Sequence, residues 1–148
     1  MRKLVGLACL LWASAVVAAP ADAVKTRIDG LRELGAAFKA IRDGLAGDEP
    51  QTILIQQSAR QVRNAASQMS GWFPAGSGAE SGAKTSAKAE IWTQPARFKA
   101  DMDSFVAAAA RFQKVAAGGD GAAMRAAMAD LGGTCKGCHD SFRVPRTS

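Results

Sequence analysis

Cys135-Lys136-Gly137-Cys138-His139 constrains this chain more than any other stretch. Two thiols and an imidazole stand at i, i+3 and i+4. On an α-helix those positions share a face, with neighbours about 5–6 Å apart. The spacing is that of covalent c-type haem attachment. Two thiolates can add to the two vinyl groups of one haem edge, and the imidazole next to the second thioether reaches the iron from the same side. His139 is the only histidine among the 148 residues. If haem is attached here, one axial iron ligand is fixed and the rest of the chain must be read around it.

Three other chemistries use similar residues. A thioredoxin-like C-x-x-C needs a strand–helix context, which is missing. A zinc site needs about four ligands, and this motif supplies three, crowded on one helix. A disulfide between Cys135 and Cys138 suits an oxidising compartment, but it strains helical geometry.

The segment at residues 1–21 reads as a secretory signal peptide, removed on export. Arg2 and Lys3 form a positive n-region, Leu4 to Val17 an uncharged apolar run, and Ala18-Ala19-Pro20-Ala21 a small-residue cleavage region. The run is short of the roughly 20 apolar residues a membrane-spanning helix needs. Cys9 leaves with it, so the mature domain, residues 22–148, keeps only Cys135 and Cys138. Export predicts an oxidising compartment for the two remaining cysteines. Lys+Arg falls from 19 to 17 against 13 acids, a mature net charge of 17 − 13 = +4. The cations are scattered, with no basic run and no interleaved aromatics, which gives no support to nucleic-acid binding.

The mature length suits one domain with a modest core. Nearly half of the chain is hydrophobic, much of it alanine; tyrosine is absent. Helix formers dominate, and no stretch alternates as a strand does. Four segments carry helical periodicity. The first runs from about Asp22 to Leu45 on a stripe of Val24, Ile28, Leu31, Leu34, Phe38 and Ile41. Gly44, Gly47 and Pro50 mark a turn. The second runs from about Thr52 to Ser70, with Ile55, Ala59, Val62, Ala66 and Met69 on one face.

A Gly/Ser/Ala-rich stretch follows, Gly71 to about Lys88, in which Trp72 and Phe73 pin an otherwise mobile loop to the core. The third helix starts near Thr93, a candidate N-cap, with Pro95 in its first turn. Its stripe is Phe98, Met102, Phe105, Ala109 and Phe112. Gly118-Gly119 breaks the chain and Asp120 caps the fourth helix. There Met124, Met128, Leu131, Cys135, Cys138 and Phe142 recur on one apolar face. Gly132 and Gly133 inside that helix suggest close approach of something large, such as a porphyrin plane, or else a local helix break. Short loops between amphipathic helices predict an all-α, antiparallel four-helix bundle enclosing one covalently bound haem.

The run Thr134-Cys135-Lys136-Gly137-Cys138-His139-Asp140-Ser141-Phe142-Arg143 resembles the C-terminal signature of the cytochromes c′, the class II c-type cytochromes. Ala23-Val24-Lys25-Thr26-Arg27 with Leu31 resembles that family's first helix. Phe73-Pro74-Ala75-Gly76-Ser77 and Ala87-Lys88-Ala89-Glu90-Ile91-Trp92 resemble its loop and the start of its third helix. The resemblance implies haem c inside the bundle, five-coordinate iron, a periplasmic location and homodimers through the first two helices. It implies thioethers at Cys135 and Cys138 and iron ligation by His139. It further implies cofactor contacts at Arg27, Ile28, Leu31, Phe73, Lys88 and Arg143. Arg27 matches an arginine that meets a propionate, Leu31 the residue that covers the distal face, and Arg143 an arginine against the proximal face. Ile28 departs from the family, which often has a glutamine there.

The residue matching Leu31 separates two behaviours within the family: methionine gives six-coordinate iron, an apolar side chain leaves the sixth site empty. Leucine has no lone pair, so the expectation is high-spin haem open to NO and CO and capable of one-electron transfer, with a diatomic gas or a small redox protein as partner. No acid–base pair suggests an enzyme. Two other readings stay open: a low-spin carrier with an upstream methionine as sixth ligand, and a haem-free helical periplasmic binding protein with a disulfide. Met124 and Met128 share a helix with His139 and lie about 16 Å or more along it, so Met69 and Met102 are the candidates.

Overall fold

The computed structural model describes residues 19–145. The expected signal segment, residues 1–21, lies outside them except for its last three residues. Five helices are present among the described residues: α1 (Pro20–Gly44), α2 (Thr52–Gln68), the single-turn α3 (Glu90–Thr93), α4 (Pro95–Gly118) and α5 (Gly121–Phe142). The four long ones form the bundle, as expected.

Local chemistry sets their ends. Proline stands in the first turn of α1 and of α4, where its missing N–H would be unsatisfied anyway. Asp120 caps α5 by accepting from Ala123 N at 3.0 Å. Gly119 ends α4 at φ +76°, a left-handed turn that glycine adopts without penalty. One boundary differs from expectation. Thr93 does not cap the third long helix; it closes α3, and Gln94 is the residue before Pro95. Neither Gln94 nor Thr93 makes a side-chain cap bond there, because Thr93 Oγ1 turns back to Ala89 O.

Two long-range bonds fix the antiparallel order. Gln56 Nε2, near the start of α2, donates to Ala116 O near the end of α4 at 3.1 Å. Arg125, near the start of α5, donates to Gly47 O just beyond α1 at 2.7 Å. The tight helix pairs are α1 with α2, α2 with α4, and α4 with α5. Helices α1 and α5 share no comparable seam: they approach where Gly132 comes beside Phe38 and stand apart around residues 27–35 of α1 and 134–142 of α5, which line open space. The core follows the three tight seams: Ile41, Ile55, Val62, Phe112, Met124 and Leu131 are almost wholly buried. At about 25 cal/mol per Å² of apolar surface, these seams are the stable part of the fold.

The link from α2 to α4 is not a loose loop. Residues 73–89 form a strap over the end of the bundle where α1 and α5 diverge. Arg27 of α1 holds one side of it through four hydrogen bonds. Lys88 N donates to Phe142 O and Val144 N to Ser86 O on the other side. The expected pinning by Trp72 and Phe73 is present, but the remainder is also tied. No helix among the described residues is long and apolar enough to cross a membrane.

Candidate haem site

Helix α5 runs unbroken through Gly132 and Gly133 to Phe142, so the helix break considered from sequence does not occur. It brings Cys135, Cys138 and His139 to one wall of a cavity of about 880 Å³, within the range of pockets that take cofactors. The facing wall is α1, which contributes Arg27, Ile28, Leu31 and Leu34. Helix α4 contributes Phe98, Met102 and Phe105, and the strap closes one end. The cavity is thus the space left where α1 and α5 part.

Leu31 shows how this space differs from a core. It sits on an apolar helical stripe and is still 37% exposed, whereas Val24 and Ile41 on the same stripe are buried. Its side chain faces the cavity and lacks a protein surface to pack on. A stripe that loses its partners midway points to a ligand. Phe38, also on the stripe, is half-buried for the same reason.

An aromatic chain fixes the strap end. Phe98 makes edge-on contacts with Phe73 (centroids 5.0 Å) and Phe142 (5.2 Å). Trp92 Nε1 donates to Pro74 O at 3.1 Å, a packing role. Arg27 is 2% exposed and its guanidinium lies 4.9 Å from the Phe73 ring centre. Its Nη1 donates to Trp72 O (3.2 Å) and Ser77 Oγ (3.0 Å); its Nη2 donates to Ser77 O (2.8 Å) and Thr85 Oγ1 (2.9 Å). No carboxylate among the described residues pairs with it, and burial pushes its pKa down. A buried cation without a counter-charge is costly, so the wall favours an anionic group from whatever fills the cavity.

Arg143 is the C-cap of α5, with extended backbone; its N–H donates to His139 O at 3.1 Å and its side chain lines the cavity. Lys88, expected at the cofactor, does not line the cavity. It holds the end of α5 instead, Nζ donating to Asp140 O at 3.3 Å. Gly132 and Gly133 do not line it either, and no protein atom lies within 4 Å of a Cβ built on Gly133. The glycine in the wall is Gly35 of α1, equally open.

Sequence reasoning missed Gly35, Thr85 and Asp101. Asp101 is the one carboxylate in the wall among the described residues. Its signal was legible: it falls between Phe98, Met102 and Phe105 at core-facing spacing. Cys135 and Cys138 are free thiols. Burial, with a contribution from the Asp101 charge, raises Cys138 to about 11, and burial raises Cys135 as well. Both stay protonated near neutrality and are poor nucleophiles in the folded chain. Of the four methionines among the described residues, Met69 and Met102 line the cavity; Met124 and Met128 do not.

These residues fit haem. The wall offers two neutral thiols three residues apart, one imidazole, an apolar floor and a buried cation at the strap end. His139 would hold the iron and the thiols the porphyrin edge.

The family model described as Cytochrome C' matches residues 22–143. Cytochrome c' of Pararhodospirillum photometricum is 36% identical over 126 residues, which cover 85% of this chain and 99% of that one. A nitric oxide complex of a variant of cytochrome c prime from Alcaligenes xylosoxidans has 27% identity and a TM-score of 0.78, covering 86% and 98% of the two chains. A cytochrome c' described by its ligand-controlled dimer dissociation has 26% identity and a TM-score of 0.80, covering 88% and 100%. Matching from residue 22 to residue 143, and folded as the up-down-up-down bundle for which this family is a known example, the chain belongs to the cytochrome c′ family of electron-carrying haem proteins.

Proposed function

We propose that this chain is an exported, periplasmic monohaem cytochrome with five-coordinate iron, which binds NO and CO and passes single electrons, and is not a conventional enzyme. The observation that carries this reading is the cavity itself, which joins both thiols and His139 on α5 to Leu31 on α1. When bound, haem c supplies a redox-active iron with affinity for small neutral molecules.

The chain's residues do the rest. Cys135 and Cys138 would hold haem c as thioethers and so retain it in the cavity. His139 would hold the iron through its imidazole. From the facing helix, Leu31 and Ile28 offer neither a lone pair nor a donor. Leu31 therefore keeps its place only by bulk, which a strongly binding diatomic can push aside. Without a distal donor the pocket does not favour O2. Arg143, bonded through its backbone to His139 O, would put a cation on the imidazole's side of the cavity.

Met69 and Met102 in the cavity wall favour a second reading, a low-spin carrier with a sulfur sixth ligand. Absorption spectra decide between the two. The first reading predicts broad high-spin bands, NO and CO complexes and no stable oxy form. Sharp split bands in the ligand-free ferrous protein support the second. A stable oxy complex overturns the selectivity argument.

Homodimerisation through α1 and α2 is part of the proposal. A groove of about 550 Å³ runs between these helices, and Ile53 and Leu54 stand exposed on α2. Sedimentation at micromolar concentration tests it; a monomer at all concentrations overturns it.

A further inference from the structure

A guanidinium carries five N–H donors in a fixed fork. In Arg27 the strap and Trp72 O use four of them, both hydrogens of Nη1 and both of Nη2. The fifth, on Nε, donates to no group among the described residues. Every fully buried side-chain nitrogen or oxygen among the described residues has a partner. Arg27 Nε therefore reaches open space, and the open space beside Arg27 is the cavity.

Thr85 Oγ1 is in the complementary state. A hydroxyl has two acceptor lone pairs and one proton. The lone pairs are taken: Arg27 Nη2 donates at 2.9 Å and Ala87 N at 3.1 Å. The proton has no acceptor among the described residues, and Thr85 lines the cavity beside Arg27. One cationic N–H and one O–H, joined by a hydrogen bond between their own side chains, are left facing the same space.

We propose that Thr85 Oγ1–H and Arg27 Nε–H form a two-donor carboxylate site, and that in the haem-loaded protein this site holds one propionate. The inference rests on the haem reading above. Thr85 is the new member. Arg27 has a single N–H left for an anion, so the strap hydroxyl supplies the second bond. The strap is thus a ligand of the cofactor as well as a cover, and the tie to Arg27 orients the hydroxyl for it. Lys84 and Ser86, the exposed neighbours of Thr85 in the strap, also line the cavity and are the rival donors.

The test uses the matured protein. A pyridine haemochrome assay first establishes covalent haem; its absence refutes the haem reading and not this site. In haem-loaded samples the resonance Raman propionate-bending band reports hydrogen bonding to the carboxylate. Thr85→Val should shift it, while Thr85→Ser and the neighbouring control Ser86→Ala should leave it at the wild-type position. An unshifted Thr85→Val band, or an equal shift in Ser86→Ala, overturns the proposal. The wild-type crystal structure gives an answer without any variant. A carboxylate oxygen about 2.7 Å from Thr85 Oγ1 supports the site; a carboxylate held by Lys84 or by water alone refutes it.

Discussion

Replacing Arg27 by methionine tests how far one side chain organises the site. Methionine keeps most of the stem volume and removes the guanidinium. Four acceptors lose a donor. Two can recover: Thr85 Oγ1 is half-buried beside the cavity and can take water, and Ser77 Oγ already donates to Pro74 O at 2.8 Å. Trp72 O and Ser77 O cannot, since Ser77 is 0% exposed and Trp72 is 8% exposed. A stranded buried acceptor costs about 1–3 kcal/mol, so the two cost about 2–6 kcal/mol. Removing an uncompensated buried cation returns part of that, which leaves a net loss of about 3 kcal/mol. For a domain of this size the melting temperature should fall by about 10 °C. The strap should open first, because it has few apolar contacts of its own. Lys84 lies within it, so tryptic cleavage after Lys84 should accelerate by about a hundredfold if the loss is local. Circular dichroism melts and timed digestion of wild type and Arg27→Met measure both. A melting temperature within about 2 °C of wild type, with unchanged cleavage at Lys84, would refute the claim that this guanidinium holds the strap.

Leu31→Ala should cost the haem-free fold about 1–2 kcal/mol, below the roughly 2–5 kcal/mol of a fully buried leucine, because the side chain is already 37% exposed. In the haem-loaded protein the same change should raise CO affinity at least about tenfold; a titration showing equal affinity would remove Leu31 as the gate. Gly30→Ala places a Cβ 2.6 Å from Trp72 Cζ2, and urea denaturation should show a loss of about 1–3 kcal/mol; wild-type stability would mean that Trp72 moves freely. In the haem-free chain, burial raises Cys138 from 9.0 to about 11. The folded state then holds the proton more tightly than the unfolded one. Its contribution to stability is complete at neutral pH and is lost as pH rises from about 9 through about 11. Urea midpoints across that range should fall for haem-free protein and lack this step in the thioether-linked form; identical profiles would count against the shift.

The helices were legible because periodicity and end chemistry agree. Asp120, Gly119 and Pro95 mark boundaries by local rules, and the face shared by Cys135, Cys138 and His139 follows from helical geometry alone. Thr93 misled because a good N-cap residue can also close a preceding turn, and nothing local reveals the extra turn α3. Glycines 132 and 133 misled because a glycine says that room is available, not on which side; the cavity uses Gly35. The strap was the least legible part. Its hydrogen bonds link residues 45 to 58 positions apart in the chain, so no window along the sequence contains both partners. Leu31 was read correctly as apolar and facing inward. That it faces a cavity became visible only when α1 and α5 were seen to diverge.

The central claim is a haem stapled to α5 with the iron site left open on the α1 side. Its most direct test is the ferric and ferrous absorption spectrum of protein matured in an exporting host, recorded before and after denaturation and acid–organic extraction. The account predicts colour that survives extraction and broad high-spin bands in the native state. A colourless protein, or sharp low-spin bands from a methionine sixth ligand, would contradict it.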